Sequence, residues 1–343
     1  MTGTGTPPVA APRPEVVAAQ DQVTSTLMRV WHLRYRFGAT PRTFALSTGA
    51  FLLLGALQAL LAGPTSATYA VYFIVFALGF QAWYWFPGSS LRWAHPALGL
   101  LRAQPWRVVP ARVLRGGRWS AVVEVVDRVP VELSVWIDPA HLAMITDTAY
   151  LVRHGEQAVL RVPGSRAMFL ARARGPVAAV EVPAVRVTER WARVLRERIL
   201  LLPVQGALLV GALLLGVWLT DPPARLVVAM AGCYLLIAVV GLIAVSHRLA
   251  DLRLPALVDS AQWTRADAAL GPWKARRDGT AEAKVFLRFE DGAMRAVAMS
   301  AASVDLLGAV ADSSELWTTG TEGRVAVGFP GYPLLAVGEV VPA

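Results

Sequence analysis

The chain repeats one layout: an uncharged hydrophobic hairpin followed by a longer polar segment patterned for β-strands, then the same pair again. The first hairpin runs Phe44–Ala62 and Tyr69–Phe86, the second Ile199–Leu219 and Leu226–Val245, and none of the four runs contains a charged residue. Each is close to the roughly 20 apolar residues that cross a bilayer core, so the pattern predicts four transmembrane helices in two hairpins. Hydrophobic residues make up 55% of the chain, above the usual 45–50% or so. The surplus sits in those four runs, which leaves the intervening segments of ordinary polarity.

The net charge of +9 is unevenly distributed. Arg13, Arg29, Arg34, Arg36 and Arg42 precede the first run, whereas residues 262–343 carry more acidic than basic groups. This basicity follows the flanks of the apolar runs and does not describe a nucleic-acid face, so no nucleic-acid partner is expected. Lysine occurs only as Lys274 and Lys284 and asparagine is absent, the usage of a GC-rich bacterial genome. The single Cys233 excludes an intrachain disulfide and a cysteine metal cluster. Residues 1–43 lack the apolar core of a signal peptide.

Flanking arginines set an orientation. Arg92, Arg102, Arg107, Arg112, Arg115 and Arg118 follow the first hairpin; Arg186, Arg190, Arg193, Arg196 and Arg198 precede the second, and His247, Arg248 and Arg253 follow it. The short connections within the hairpins are nearly uncharged. The positive-inside rule then predicts a multi-pass inner-membrane protein with both termini and both polar segments cytoplasmic. Trp31, Trp83, Tyr84, Trp85, Arg92, Arg196, Arg198 and Arg248 are the residues this reading assigns to the membrane interface.

The polar segments carry an internal repeat. Tyr150–Ala171 lies on Trp317–Gly338 without a gap, placing Pro163-Gly164 on Pro330-Gly331 between two alternating apolar runs. Proline presets one turn dihedral and glycine supplies the positive φ that follows, so both pairs read as hairpin turns. Strands are expected at Ser120–Val126, Val131–Ile137, Ala283–Phe289 and Met294–Met299, with short helices at Pro139–Thr146 and Ala301–Ala311. Each segment reads as a duplicated antiparallel β-domain, barrel or sandwich, of five or so strands. The expected order is a disordered tail (1–23), an amphipathic juxtamembrane helix (24–43), a hairpin (44–86), a β-domain (87–185), an amphipathic connector (186–198), a hairpin (199–245) and a β-domain (246–343).

Chemistry is sparse. Gln58, Gln81 and Gln205 are the strongly polar side chains of the apolar runs, and His141 and His154 the histidines of the first β-domain. No zinc spacing, phosphate loop or nucleophile elbow is present, and no catalytic, cofactor or metal residue is assigned. The expectation is a non-enzymatic membrane scaffold or anchor that presents two β-modules to a protein partner, through exposed strand edges among other surfaces. The alternative is a transporter or lipid-handling protein with a path lined by Gln58, Gln81 and Gln205. The lipid bilayer is a partner on either reading, and a homo-oligomer is compatible with both.

Overall fold

The computed structural model describes residues 8–21, 94–180, 185–220, 246–259, 262–276 and 279–342, with isolated residues between 24 and 53 and between 228 and 243. The chain forms two compact units: Met1–Arg34, Trp93–Glu197 and His247–Ala343 make one, Tyr35–Arg92 and Arg198–Ser246 the other. Among the described residues the first unit contains twelve strands in two closed six-stranded antiparallel barrels.

Barrel 1 consists of β1 (Arg107–Gly116), β2 (Ala121–Asp127), β3 (Val129–Val135), β4 (Thr148–His154), β5 (Gln157–Arg161) and β6 (Met168–Arg174), in the order β1-β2-β3-β6-β5-β4. Barrel 2 consists of β7 (Thr264–Ala275), β8 (Thr280–Arg288), β9 (Met294–Ser303), β10 (Glu315–Thr318), β11 (Gly323–Phe329) and β12 (Leu334–Pro342), in the order β7-β8-β9-β12-β11-β10. The two orders are the same. Each barrel is two three-stranded meanders; a crossover helix joins them, and pairing of the first with the fourth strand and the third with the sixth closes the barrel. Both first strands carry a register shift at a similar point, between Val113 and Arg115 and between Leu270 and Trp273. Such bulges bend a strand so that it can pair on both sides of a closed sheet.

Alternation supplies the cores. In β2, Ala121, Val123 and Val125 point inward, and in β8 Ala281, Ala283, Val285 and Leu287 do the same at a period of two. The crossover helix of barrel 1 is a single turn, α2 (Pro139–Leu142), capped by Asp138; that of barrel 2 is α5 (Val304–Ser313), capped by Ser303. Outside barrel 1, α1 (Ala94–Ala103) and Trp106 cover Val152, Val159 and Met168. Outside barrel 2, the first turns of α3 (Val187–Thr220) and α4 (Leu254–Asp259) cover Ala326, Leu335 and Val337. The helix preceding each barrel carries Pro-Ala-Leu, at 96–98 and at 255–257, and a tryptophan, Trp106 or Trp263, follows it before the first strand.

Several expectations are corrected here. Among the described residues no helix is long and apolar enough to cross a membrane, and the fold they form is two six-stranded barrels in place of the expected four transmembrane helices. An uncharged run of about twenty residues is necessary for a span but does not establish one; the run Ile199–Leu219 lies within α3, which begins in the charged turns from Val187. The run 44–86 lies outside the described residues apart from Gly49 and Leu53, and 226–245 is described at scattered positions only. The multi-pass inner-membrane location with cytoplasmic termini rested on the spans and falls with them. The arginines that follow the first hairpin, apart from Arg92, have places in and beside barrel 1. Arg102 ends α1, Arg107, Arg112 and Arg115 lie on β1, and Arg118 stands in the β1–β2 turn. An arginine-rich strand interrupted by Pro110 does not look like a strand, which is why β1 was not expected. Strand number rises from five or so to six, and closure leaves neither barrel an unpaired edge for a partner strand.

Candidate functional site

Asp21, Arg161, Ser165, Thr188 and His141, all buried, lie where the two barrels, α3 and the N-terminal segment meet. The Pro-Gly turns stand at the centre of this seam. Pro163-Gly164 joins β5 to β6 and Pro330-Gly331 joins β11 to β12, with φ of 73° at Gly164 and 87° at Gly331. A Cβ on Gly164 would stand 2.5 Å from the Cε1 of Tyr332 and 3.2 Å from the Cε of Met144, so the turn of barrel 1 packs directly on that of barrel 2. Tyr332 is partly buried there, and burial raises its hydroxyl above the ordinary value. The N–H of Gly331 donates to Oγ1 of Thr188, on the first turn of α3, at 2.7 Å.

Two residues beyond Gly164, Arg166 crosses to barrel 2 and pairs with Asp312 on α5. Its guanidinium lies over Gly308, where a Cβ would collide with it. Glycine on α5 thus makes room for an arginine of the other barrel.

Behind this turn lies Arg161, with 1% of its side chain exposed. Its Nε donates to the carbonyl of Ser165 at 2.8 Å and its Nη2 to the carbonyl of Ala10 at 2.9 Å. Nη1 faces Asp21 Oδ2 at 3.6 Å, an ion pair without a hydrogen bond, and the guanidinium carbon stands 5.8 Å from the ring centre of Tyr150. Desolvation lowers the Arg161 pKa to about 10, against the opposing pull of Asp21. Asp21 accepts from the N–H and hydroxyl of Thr24 at 3.0 and 2.8 Å, and Thr24 Oγ1 accepts from Trp106 Nε1 at 3.0 Å. A buried arginine costs several kcal/mol to desolvate unless it is paired. Here the β5–β6 turn supplies one carbonyl and the N-terminal segment a second carbonyl and a carboxylate, which binds that segment to barrel 1.

These contacts order residues 8–21, read from composition as part of a disordered tail. Pro8, Val9, Pro12 and Ala18 are buried, and Val9 packs into the apolar cluster of barrel 2 while Ala18 packs against α1. The segment therefore bridges the barrels. Of the expected amphipathic helix at 24–43, Thr24 and Met28 are buried against barrel 1 and almost all of the rest lies outside the described residues.

A second buried polar pair sits on α2. Asp138 Oδ1 accepts from the N–H groups of Ala140 and His141 at 3.1 and 3.0 Å, and Oδ2 lies 2.8 Å from His141 Nδ1. The imidazole meets Phe169 and Trp191 edge-on, with ring centres at 4.9 and 5.1 Å. Trp191 belongs to α3, so the histidine joins barrel 1 to the same helix that holds the barrel 2 turn. His154, by contrast, is an exposed residue at the end of β4.

Among the expected interface residues, Arg196 and Arg198 are exposed on α3 and Arg248 is half-buried in the 3-10 stretch Ser246–Arg253. Trp31, Trp83, Tyr84, Trp85 and Arg92 lie outside the described residues, as do Gln58 and Gln81, and Gln205 falls within α3. The structure brings Pro163, Gly164, Pro330 and Gly331 into one seam. Sequence reasoning missed Arg161, Asp21, Thr24, Trp106 and Tyr332. A signal existed for Arg161: it interrupts the apolar run Ala158–Val162 of a strand whose copy has Gly328 at that place.

A groove of about 500 Å³ in barrel 2 is lined by Arg265, Asp267, Arg288, Phe289 and Glu290, and two of its arginines are paired, Arg265 with Glu315 and Arg288 with Asp267. Among the described residues no cluster of three or more His, Cys, Asp or Glu side chains is placed to hold a metal ion. No protein-family model matches the chain, and no curated protein or solved structure does so either.

Proposed function

We propose that this chain is a non-enzymatic scaffold whose two barrels together form one platform for a protein partner. The carrying observation is where the buried polar groups are used. Arg161, Arg166, Asp21, Thr24 and His141 all join one element of the platform to another, and Asp138 holds His141 in place. A catalytic site aims such groups at a space where a substrate can sit; these are aimed at the chain itself. Fixing two barrels relative to each other costs conformational entropy, and that cost is offset when a partner reads both at once.

Among the described residues each barrel also exposes one large aromatic. Trp136, just after β3, is 57% exposed and Trp273, on β7, is 49% exposed. Exposed tryptophans are common anchors of protein interfaces, because one ring buries a large area with few rotatable bonds. A photo-crosslinking amino acid placed at 136 or 273 in the full chain, expressed in its native cells, should yield the same crosslinked polypeptide from both positions. A crosslink to a second copy of the chain would identify a homo-oligomer as the partner. Absence of any discrete product from both positions refutes the scaffold reading.

A further inference from the structure

The N-terminal segment lies in the seam as a ligand would. Val9 enters the apolar cluster of barrel 2, and the carbonyl of Ala10 accepts from Arg161 of barrel 1. Pro8 and Pro12 are buried on either side, while Ala10 and Ala11 face outward. The recognition is economical: it uses the apolar side chains of Pro8, Val9 and Pro12 and one backbone carbonyl. No charged side chain of residues 8–12 takes part, and any chain offers the carbonyl. Prolines at both ends fix φ, so a segment of this kind loses little backbone entropy when it is held.

Arg161 makes the site a built one. It is buried in barrel 1, fixed by the carbonyl of Ser165 and by Asp21, and presents Nη2 to whatever chain passes over it. Asp21 meets Nη1 and Ala10 meets Nη2, and Asp21 is held separately by Thr24, so residues 8–12 can leave while the counter-charge stays.

We infer that the seam between the barrels is a binding groove for a Pro-Val-x-x-Pro segment, filled in this structure by the chain's own residues 8–12, and that a partner carrying such a segment docks by displacing them. The inference rests on the scaffold reading only for the existence of a partner; the groove is read from the segment seated in it. A tethered segment competes at a high effective concentration, of the order of millimolar for a short link, so a free peptide meets a largely occupied groove.

The test uses a fluorescent peptide of residues 6–14 and the full chain. Wild-type chain should bind the peptide weakly. The Val9→Asp chain, which cannot seat its own segment, should bind it at least tenfold more tightly, and a peptide with the same Val→Asp change should bind neither chain. Circular dichroism and the unfolding midpoint check that the barrels persist. If Val9→Asp unfolds the chain, replacing residues 8–12 by a glycine-serine stretch vacates the groove without introducing a charge. Equal affinity of vacated and wild-type chains for the peptide, or equal affinity for the peptide carrying Asp, overturns the inference. Crosslinking from positions 136 and 273 is read independently, so failure of the groove and failure of the scaffold give different results.

Discussion

The two barrels share a strand order and a Pro-Gly turn at the same connection, yet they stabilise their surroundings by opposite means. Barrel 1 buries charge: Arg161 on β5, with Asp21 brought to it from the N-terminal segment, and the Asp138–His141 pair on its crossover helix. Barrel 2 has Gly328 where the repeat places Arg161, Tyr332 where barrel 1 has Ser165, and a ten-residue crossover helix packed by Leu306, Leu307 and Val310. Repetition preserved what closes a barrel, namely inward alternation and turn chemistry. It did not preserve what docks on the outside. Because the neighbours of the two barrels differ, one offering a carboxylate and the other apolar helix faces, the same strand position holds a guanidinium in one and no side chain in the other.

The largest expected effect tests that contrast directly. Arg161→Ala leaves Asp21 buried without its counter-charge, held only by Thr24, and should cost about 3–5 kcal/mol, read from denaturant unfolding. The paired change Arg161→Met with Asp21→Leu should recover most of the loss, since it removes both charges. A loss under about 1 kcal/mol for the single change would mean that barrel 1 does not depend on its buried charge.

The next effect separates the barrels by pH. Asp251, buried in the 3-10 stretch that leads into α4, has its carboxyl pushed up from 3.8 to about 6 by desolvation, partly offset by Arg248. A carboxyl with a raised folded pKa holds its proton more tightly when folded. Its favourable contribution is complete below pH about 4 and is lost as the pH rises through about 6, on the order of 2–3 kcal/mol. Asp251→Asn should remove this slope. Arg161 stays charged over the whole window, so the same titration of Arg161→Ala should leave the slope unchanged.

A smaller contrast lies in the turns. Gly331→Ala meets no atom within 4 Å and pays only for its positive φ, about 1 kcal/mol. Gly164→Ala pays the same and also collides with Tyr332, for a further 1–3 kcal/mol or so. Tyr332→Ala should relieve the second part alone, which a double-mutant cycle measures as coupling.

The smallest contrast is between caps. Ser303→Ala removes one hydrogen bond, to the N–H of Leu306, and should cost about 1 kcal/mol. Asp138→Ala removes two backbone bonds and the partner of a buried histidine, and should cost about 2 kcal/mol. Equal costs would mean that His141 gains nothing from its carboxylate.

Legibility in the sequence followed the range of the interaction. Strands β2, β3, β8 and β9 and the crossover helices stand close to where alternation and capping residues place them, since those signals act over two to four residues. The Pro-Gly turns were legible for the same reason. β1 and β7 were not, because Arg112, Arg115 and Pro110 in β1 obey a barrel's outer face and not a local pattern. The repeated Pro-Ala-Leu ahead of each barrel is a local signal of the same kind as the turns. The uncharged runs misled because hydropathy measures what a segment avoids, and does not by itself establish a span.

By itself, then, the sequence determined two repeats of alternating strands and the turns within them, through steric and hydrophobic preferences that neighbouring residues impose on one another. Only the tertiary structure decided closure by β1 with β4 and β3 with β6, the order of residues 8–21, and the use of Pro163-Gly164 as a contact on Tyr332. Arg161 shows why. Its charge is tolerable only because Ala10 and Asp21, more than a hundred residues away along the chain, reach it through space, and no local pattern encodes that meeting.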